Sequence, residues 1–233
     1  MTHDERIWVL DTESNGEHPG EIIELAAVEM VGLTLTGRYR EWRFRPRTPV
    51  HYRATRVHGI TDRDLRHCPR IEQHIPEIRA LLGNHAIAGH AVHVEVAALQ
   101  RVMPDWAPSK AYDTLRLVRK VYPDLERHRL SSMGDHLDLS RAAARMTSNK
   151  AHSAFYDAVL CGLILRNIME PLSAEARTDM AAHFDTVAIG GEKQARANAR
   201  AAVKEARRTH AALRPGRVSE YGPSAIPAQT KTR

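Results

Sequence analysis

"WVLDTESNG", Trp8 to Gly16, is the stretch whose reading decides the fold. RIWVLDTE is β-branched and aromatic and reads as a strand, closed by a Ser-Asn-Gly turn. Asp11 and Glu13 stand at the end of that strand. Residues two apart on a strand point to one face, so the two carboxylates project together. Buried charge is unfavourable unless it is paired or binds a cation. Side by side, each carboxylate raises the other's pKa unless a positive ion sits between them. Oxygen ligands of this kind suit Mg²⁺ or Mn²⁺ rather than zinc.

Outward from this strand the pattern continues. EIIELAAVEM reads as a second, mostly apolar strand, and GRYREWRFRP alternates as a third with one wet face. IEQHIPEIRALLG has helical spacing and a terminal glycine, although Pro76 disturbs its first turn. HAIAGHAV is a short buried strand leading into a helix through Leu99 and Met103. YDTLRLVRKVYP gives a short strand or turn, then a helix ended by Pro123. HSAFYDAVLCGLILRNIM reads as one helix, broken at Pro171. Strands first, then strand alternating with helix, predict an α/β or α+β sheet packed with helices.

The 233 residues are enough to bury a sizeable core, and the net charge of +6 is unevenly spread. From Lys193 onward there are 10 Lys or Arg against 2 Asp or Glu, leaving 24 basic and 26 acidic side chains before it. Basicity is therefore a property of the C-terminal part, either a solvated helix or an electrostatic hold on a polyanion. Residues 171–213 read as a helical basic extension interrupted near Gly190 and Gly191, and 214–233 as a disordered tail. Cys68 and Cys161 are far apart with no CxxC pair, which suits a reducing compartment. No apolar stretch resembles a signal peptide or spans a membrane, so the expected location is cytoplasmic.

Two further stretches join the first. GHAVHVEVAAL places Glu95 in the first turn of a helix after a buried strand, and AHSAFYDAVL sets His152 five residues before Asp157. The order D-x-E, then an acidic residue after GH, then H-x4-D resembles the DEDDh exonuclease family of the ribonuclease H-like superfamily. That family includes the proofreading subunit of bacterial replicative polymerases and the ribonuclease that trims tRNA ends. LDTESNG stands close to its first motif, DTETTG; EIIELAAV, VHGIT from Val57 and YDTLRL from Tyr112 accompany it; AHSAFYDA matches the third motif. The likeness covers about residues 6–170, which become the expected catalytic domain, 1–170. The second motif departs: where the family has H-N-x-x-F-D, this chain has His90, Ala91, Val92, His93, Val94 and Glu95.

The resemblance implies a mixed central sheet flanked by helices and a 3′–5′ exonuclease using two divalent cations, Mg²⁺ or Mn²⁺. It implies that Asp11, Glu13 and Asp157 hold the first ion, with Asp11 bridging to the second. Glu95 would bind through water or orient the site, and His152 would be the general base. Ser14 and Asn15 would touch the terminal nucleotide, and His58 a base or sugar. The implied partner is a single-stranded 3′ end of DNA or RNA, and the products nucleoside 5′-monophosphates. The basic extension could hold nucleic acid or dock on a DNA polymerase or another protein. A binding module that keeps the fold without catalysis is the competing reading, supported by Ala91 and Glu95.

Overall fold

The computed structural model describes residues 3–149, 151–187, 202–209 and 211. A five-stranded sheet has the order β3-β2-β1-β4-β5, with β1 (Arg6–Ser14), β2 (Ile22–Val31), β3 (Thr34–Arg43), β4 (Ala86–Gly89) and β5 (Ala111–Asp113). The first three pair antiparallel as a meander, whereas β4 and β5 run parallel to β1. The helices are α1 (Tyr52–His58), α2 (Asp62–Leu65), α3 (Ile75–Leu82), α4 (His93–Val102), α5 (Thr114–Val121), α6 (Leu130–His136), α7 (Ser140–Thr147), α8 (Ala154–Met169) and α9 (Ala174–Phe184).

β1 is the middle strand, so the pleat sorts its side chains between two cores. Ile7 and Val9 face the larger core, where α8 lies, and Trp8 and Leu10 face the other, built with Ile78, Leu82 and Leu99 of α3 and α4. Asp11 and Glu13 continue the Ile7–Val9 row, which aims them at the start of α8. That helix is buried on nearly every side, between the sheet and α5, α6 and α7. Each fully buried Leu or Ile in it, such as Leu160 and Ile164, contributes about 1.5–3 kcal/mol.

Two expectations are corrected. Pro76 does not spoil its helix: a 3₁₀ turn at Ile71–Gln73 comes first, and α3 begins at Ile75 with the proline in its first turn. The missing N–H has no helical partner at that position. The helix expected from His152 begins two residues later, with Ser153 as its cap. In the stretch after residue 170, Ala176, Met180, Ala181 and Phe184 of α9 pack into the core that holds α8. Asp185 bridges to Tyr112 and accepts a 2.9 Å hydrogen bond from the Ala111 N–H, covering the edge strand β5.

Residues 202–209 are helical, with Ala202 and Ala206 buried. Arg207 Nε donates to the Lys120 carbonyl at 2.8 Å, and the Ser173 N–H to Glu205 at 3.2 Å, so this helix is seated on the sheet domain. The expected break at Gly190 and Gly191, the basic residues Arg196 and Arg200, and the tail 214–233 lie outside the described residues. No described helix is long and apolar enough to cross a membrane.

Candidate active site

The site forms where β1 ends beside the first turn of α8. Glu13 lies directly opposite Glu24 in the β1–β2 ladder, and Glu24 lies opposite Arg43 in the next. Arg43 Nε meets one Glu24 oxygen at 2.8 Å, while the other accepts a 2.9 Å hydrogen bond from the Ala154 N–H. Glu24 thus fastens the first turn of α8 to the sheet. Phe155 adds an apolar clamp by stacking on Tyr39 of β3, ring centroids 4.2 Å apart. Ser153 caps the helix by accepting from the Tyr156 N–H.

Asp157 follows in the first turn, where the helix dipole favours negative charge. His152 sits just before the cap in a left-handed conformation, φ 65°, and its N–H donates to Asp157 Oδ2 at 3.2 Å. Ligand atoms of Glu13, His152 and Asp157 all lie within 4.8 Å of one another. The third acidic source is the turn after β4. Ala91 holds φ 76° there, and its N–H donates to Asp113 Oδ1 at 3.2 Å. The same oxygen caps α5 through the Leu115 and Arg116 N–H groups. Glu95, in the first turn of α4, is buried, and its Oε2 has no hydrogen-bond partner among the described residues.

Crowding shows in the proton affinities. Burial pushes Asp11 well above the ordinary carboxylate range, and the charges of Glu95, Asp157, Glu13 and Glu24 push it further. Glu13 is raised to about 8 by burial, then by Asp157, Glu24 and Glu95. Glu95 reaches about 8 through burial and Asp113. Asp157 reaches about 6, burial outweighing the opposing pull of His152. A set of four acids in which the others raise Asp11 and Glu13, and in which Glu95 Oε2 has no partner among the described residues, fits a divalent cation with oxygen ligands.

The expected substrate contacts separate. Ser14 is exposed at the strand end, and its Oγ accepts weakly from the Gly16 N–H at 3.4 Å. Asn15 is fully buried: its Oδ1 accepts from the Glu17 and Glu21 N–H groups, and its Nδ2 donates to Thr48. Its side chain thereby closes the loop after β1. His58 Nδ1 accepts from the Ile60 N–H, leaving Nε2 to donate to the Ser14 carbonyl at 3.2 Å. The ring therefore ties the end of α1 to β1. Gly16, at φ 82°, permits that approach, since a Cβ there would stand 2.8 Å from the Ala54 Cβ.

Glu24 and Asp113 carry only faint signs of a site role in the sequence. An acid inside the apolar run of β2 was the available sign for Glu24; Asp113 was visible only as part of YDTLRL.

Residues 8–165 match the RNase T family of exonucleases. The chain belongs to this family. Its motif order places it in the DEDDh group of the ribonuclease H-like superfamily, and the family depends on divalent metal. The DNA polymerase III subunit epsilon of Aquifex aeolicus is 28% identical over 170 residues, covering 70% of this chain and 80% of that protein. A PolC-type DNA polymerase III from Oceanobacillus iheyensis is 27% identical over 176 residues, which is 73% of this chain but only 12% of the polymerase. The fold is that of exonuclease X, solved in complex with 5′-overhanging duplex DNA: TM-score 0.58, 24% identity, 76% of this chain and 98% of that one. Escherichia coli exonuclease I, solved with a dT13 oligonucleotide, gives a TM-score of 0.59 at 15% identity over 70% of this chain and 41% of its own.

Proposed function

We propose that this family member is a 3′–5′ exonuclease that hydrolyses phosphodiester bonds at single-stranded nucleic-acid ends and releases nucleoside 5′-monophosphates. The observation that carries the reading is the meeting of Glu13, His152 and Asp157 within 4.8 Å, with the charges of Asp11 and Glu95 bearing on the same point. Asp11, Glu13 and Asp157 would hold divalent cations, Mg²⁺ or Mn²⁺, as a pair, and Glu95 would bind through water or orient the others. Bound there, such ions activate water and neutralise charge developing on the phosphate. His152 is exposed beside the carboxylates and accepts the proton of the attacking water. Ser14 touches the terminal nucleotide, and His58 steadies the Ser14 backbone from behind.

The polymerase III relatives favour DNA as substrate, proofreading or repair as the setting, and a polymerase as partner, with the cytoplasm as location. A labelled single-stranded oligonucleotide incubated with Mg²⁺ or Mn²⁺ tests the reading. Stepwise release of 5′-mononucleotides, lost with EDTA and in Asp11→Ala, is the expected result. Absence of hydrolysis in the wild type with either ion would favour the non-catalytic binding module. Matched DNA and RNA oligonucleotides in the same assay identify the sugar.

A further inference from the structure

Beside the second motif lies a cavity of about 640 Å³ that the acidic cluster does not use. Its floor is apolar, from Ala91 and Leu115, and its rim carries Arg119, Arg127 and Arg129. Arg119 and Arg129 form no ion pair among the described residues, and Arg127 meets Glu126, which also lines the rim, only at 3.9 Å. All three arginines are exposed.

The rim is also fixed in place. His90 contacts the Thr114 hydroxyl at 3.0 Å through Nδ1 and the His128 carbonyl at 2.8 Å through Nε2. His128 Nε2 in turn reaches the Tyr122 carbonyl at 2.7 Å. The arginine-bearing loop is thereby fastened to the motif that carries Glu95. Ala91 lines the floor where the family pattern has the larger Asn, so this chain's departure widens the space beside its own acidic site.

Position and continuity indicate what the groove holds. It opens at the ends of β4 and β5, on the edge of the sheet from which Asp11 and Glu13 project at the end of β1. Strands lie about 4.8 Å apart, so β5 is about 10 Å from β1, a few nucleotides along a strand. The basic surface continues past the cavity. Lys120 follows Arg119, and its carbonyl accepts a 2.8 Å hydrogen bond from Arg207 Nε of the C-terminal helix, which sets Arg207 beside Lys120. A lone nucleotide would fill the cavity but leave that continuation unused, whereas a polyanion follows it.

We propose that this groove grips backbone phosphates of the nucleic-acid strand a few nucleotides from the cleaved end and passes the strand toward the C-terminal helix. The assignment rests on the exonuclease reading of the acidic cluster. The ligand chemistry is phosphate, whose two sources are a polynucleotide backbone and a free nucleotide.

The test compares wild type with the double variant Arg119→Ser, Arg129→Ser, both positions exposed, after thermal unfolding confirms that the fold is intact. Fluorescence anisotropy in EDTA reads binding of a labelled oligothymidylate of about 16 nucleotides, a labelled trinucleotide, and competition by thymidine 5′-monophosphate. The variant should bind the long strand about tenfold more weakly, with its log–log salt slope reduced by about 1.4 for two single-strand phosphate contacts. Trinucleotide binding and mononucleotide competition should not change. An unchanged slope and affinity for the long strand overturn the proposal, and so does a loss confined to the mononucleotide, which would mark a free-nucleotide site. Wild-type hydrolysis of the same oligonucleotide with Mn²⁺ reads the exonuclease assignment separately. Hydrolysis with an unchanged slope overturns the groove alone; no hydrolysis overturns the reading beneath it.

Discussion

Replacing Glu13 by Gln should make the metal-free protein more stable at alkaline pH while removing its response to metal. Glu13 is raised to about 8 from 4.5, mainly by burial and then by Asp157, Glu24 and Glu95. A carboxyl that holds its proton more tightly folded than unfolded favours folding only while protonated. The penalty is absent below about pH 4.5, grows between 4.5 and about 8, and is complete above. At about 1.4 kcal/mol per pH unit the whole span would approach 5 kcal/mol. Glu13 is only half-buried, and screening leaves about 1–2 kcal/mol. At roughly 2–4 °C per kcal/mol for a chain of this size, Glu13→Gln should melt about 2–8 °C higher than wild type at pH 8.5 in EDTA. At pH 4.5 the two should melt together. Saturating Mn²⁺ should reverse the order, because a ligand at a hundred times its Kd contributes about 2.7 kcal/mol to the wild type alone. Circular dichroism melts at both pH values, with and without Mn²⁺, provide the readout. Equal melting temperatures at pH 8.5 in EDTA, or a metal gain retained by Glu13→Gln, would refute the crowded-carboxylate account.

Glu24→Ala, which removes the anchor of the Ala154 N–H and the partner of Arg43, should lower kcat about 10–100-fold, and Glu24→Gln should restore most of it. Steady-state hydrolysis of a labelled oligonucleotide checks this; equal defects in both variants would contradict the anchoring role. His152→Ala should lower kcat by about 10²–10⁴ yet keep the Mn²⁺-dependent rise in melting temperature, separating proton transfer from ion binding. Ala91→Asn, which puts a residue tolerant of left-handed backbone at φ 76°, should stabilise the protein by about 0.5–1 kcal/mol, read as a higher Tm.

What the sequence made legible was local. The apolar run before Asp11 specifies a strand, and a two-residue period forces Asp11 and Glu13 onto one face. The long apolar run after Ser153 specifies a buried helix, so Asp157 is bound to enter near its first turn. What escaped depends on partners distant in sequence. Asn15 reads as a surface turn residue, but its amide is consumed by the N–H groups of Glu17 and Glu21 and by Thr48, which nothing in LDTESNG announces. The packing of α9 is equally hidden in a charge average over a window, since burial depends on the face carrying Ala176, Met180 and Phe184.

Glu24 joins these two kinds of information. Its place in β2 is readable as an acid interrupting an apolar strand, but its meaning comes from register: opposite Glu13 on one side and Arg43 on the other. A slip of one residue in either ladder would send its carboxylate to the opposite face of the sheet, away from α8. The ladder therefore does more than hold the sheet together. Through Glu24 it fixes where α8 begins, and through α8 it sets how far Asp157 and His152 stand from Glu13. Asp113 does the same on the parallel side, holding the turn at Ala91 and the start of α5 with one oxygen. Each helix that brings a functional side chain to the strand ends is thus aimed by a carboxylate that the sheet itself supplies.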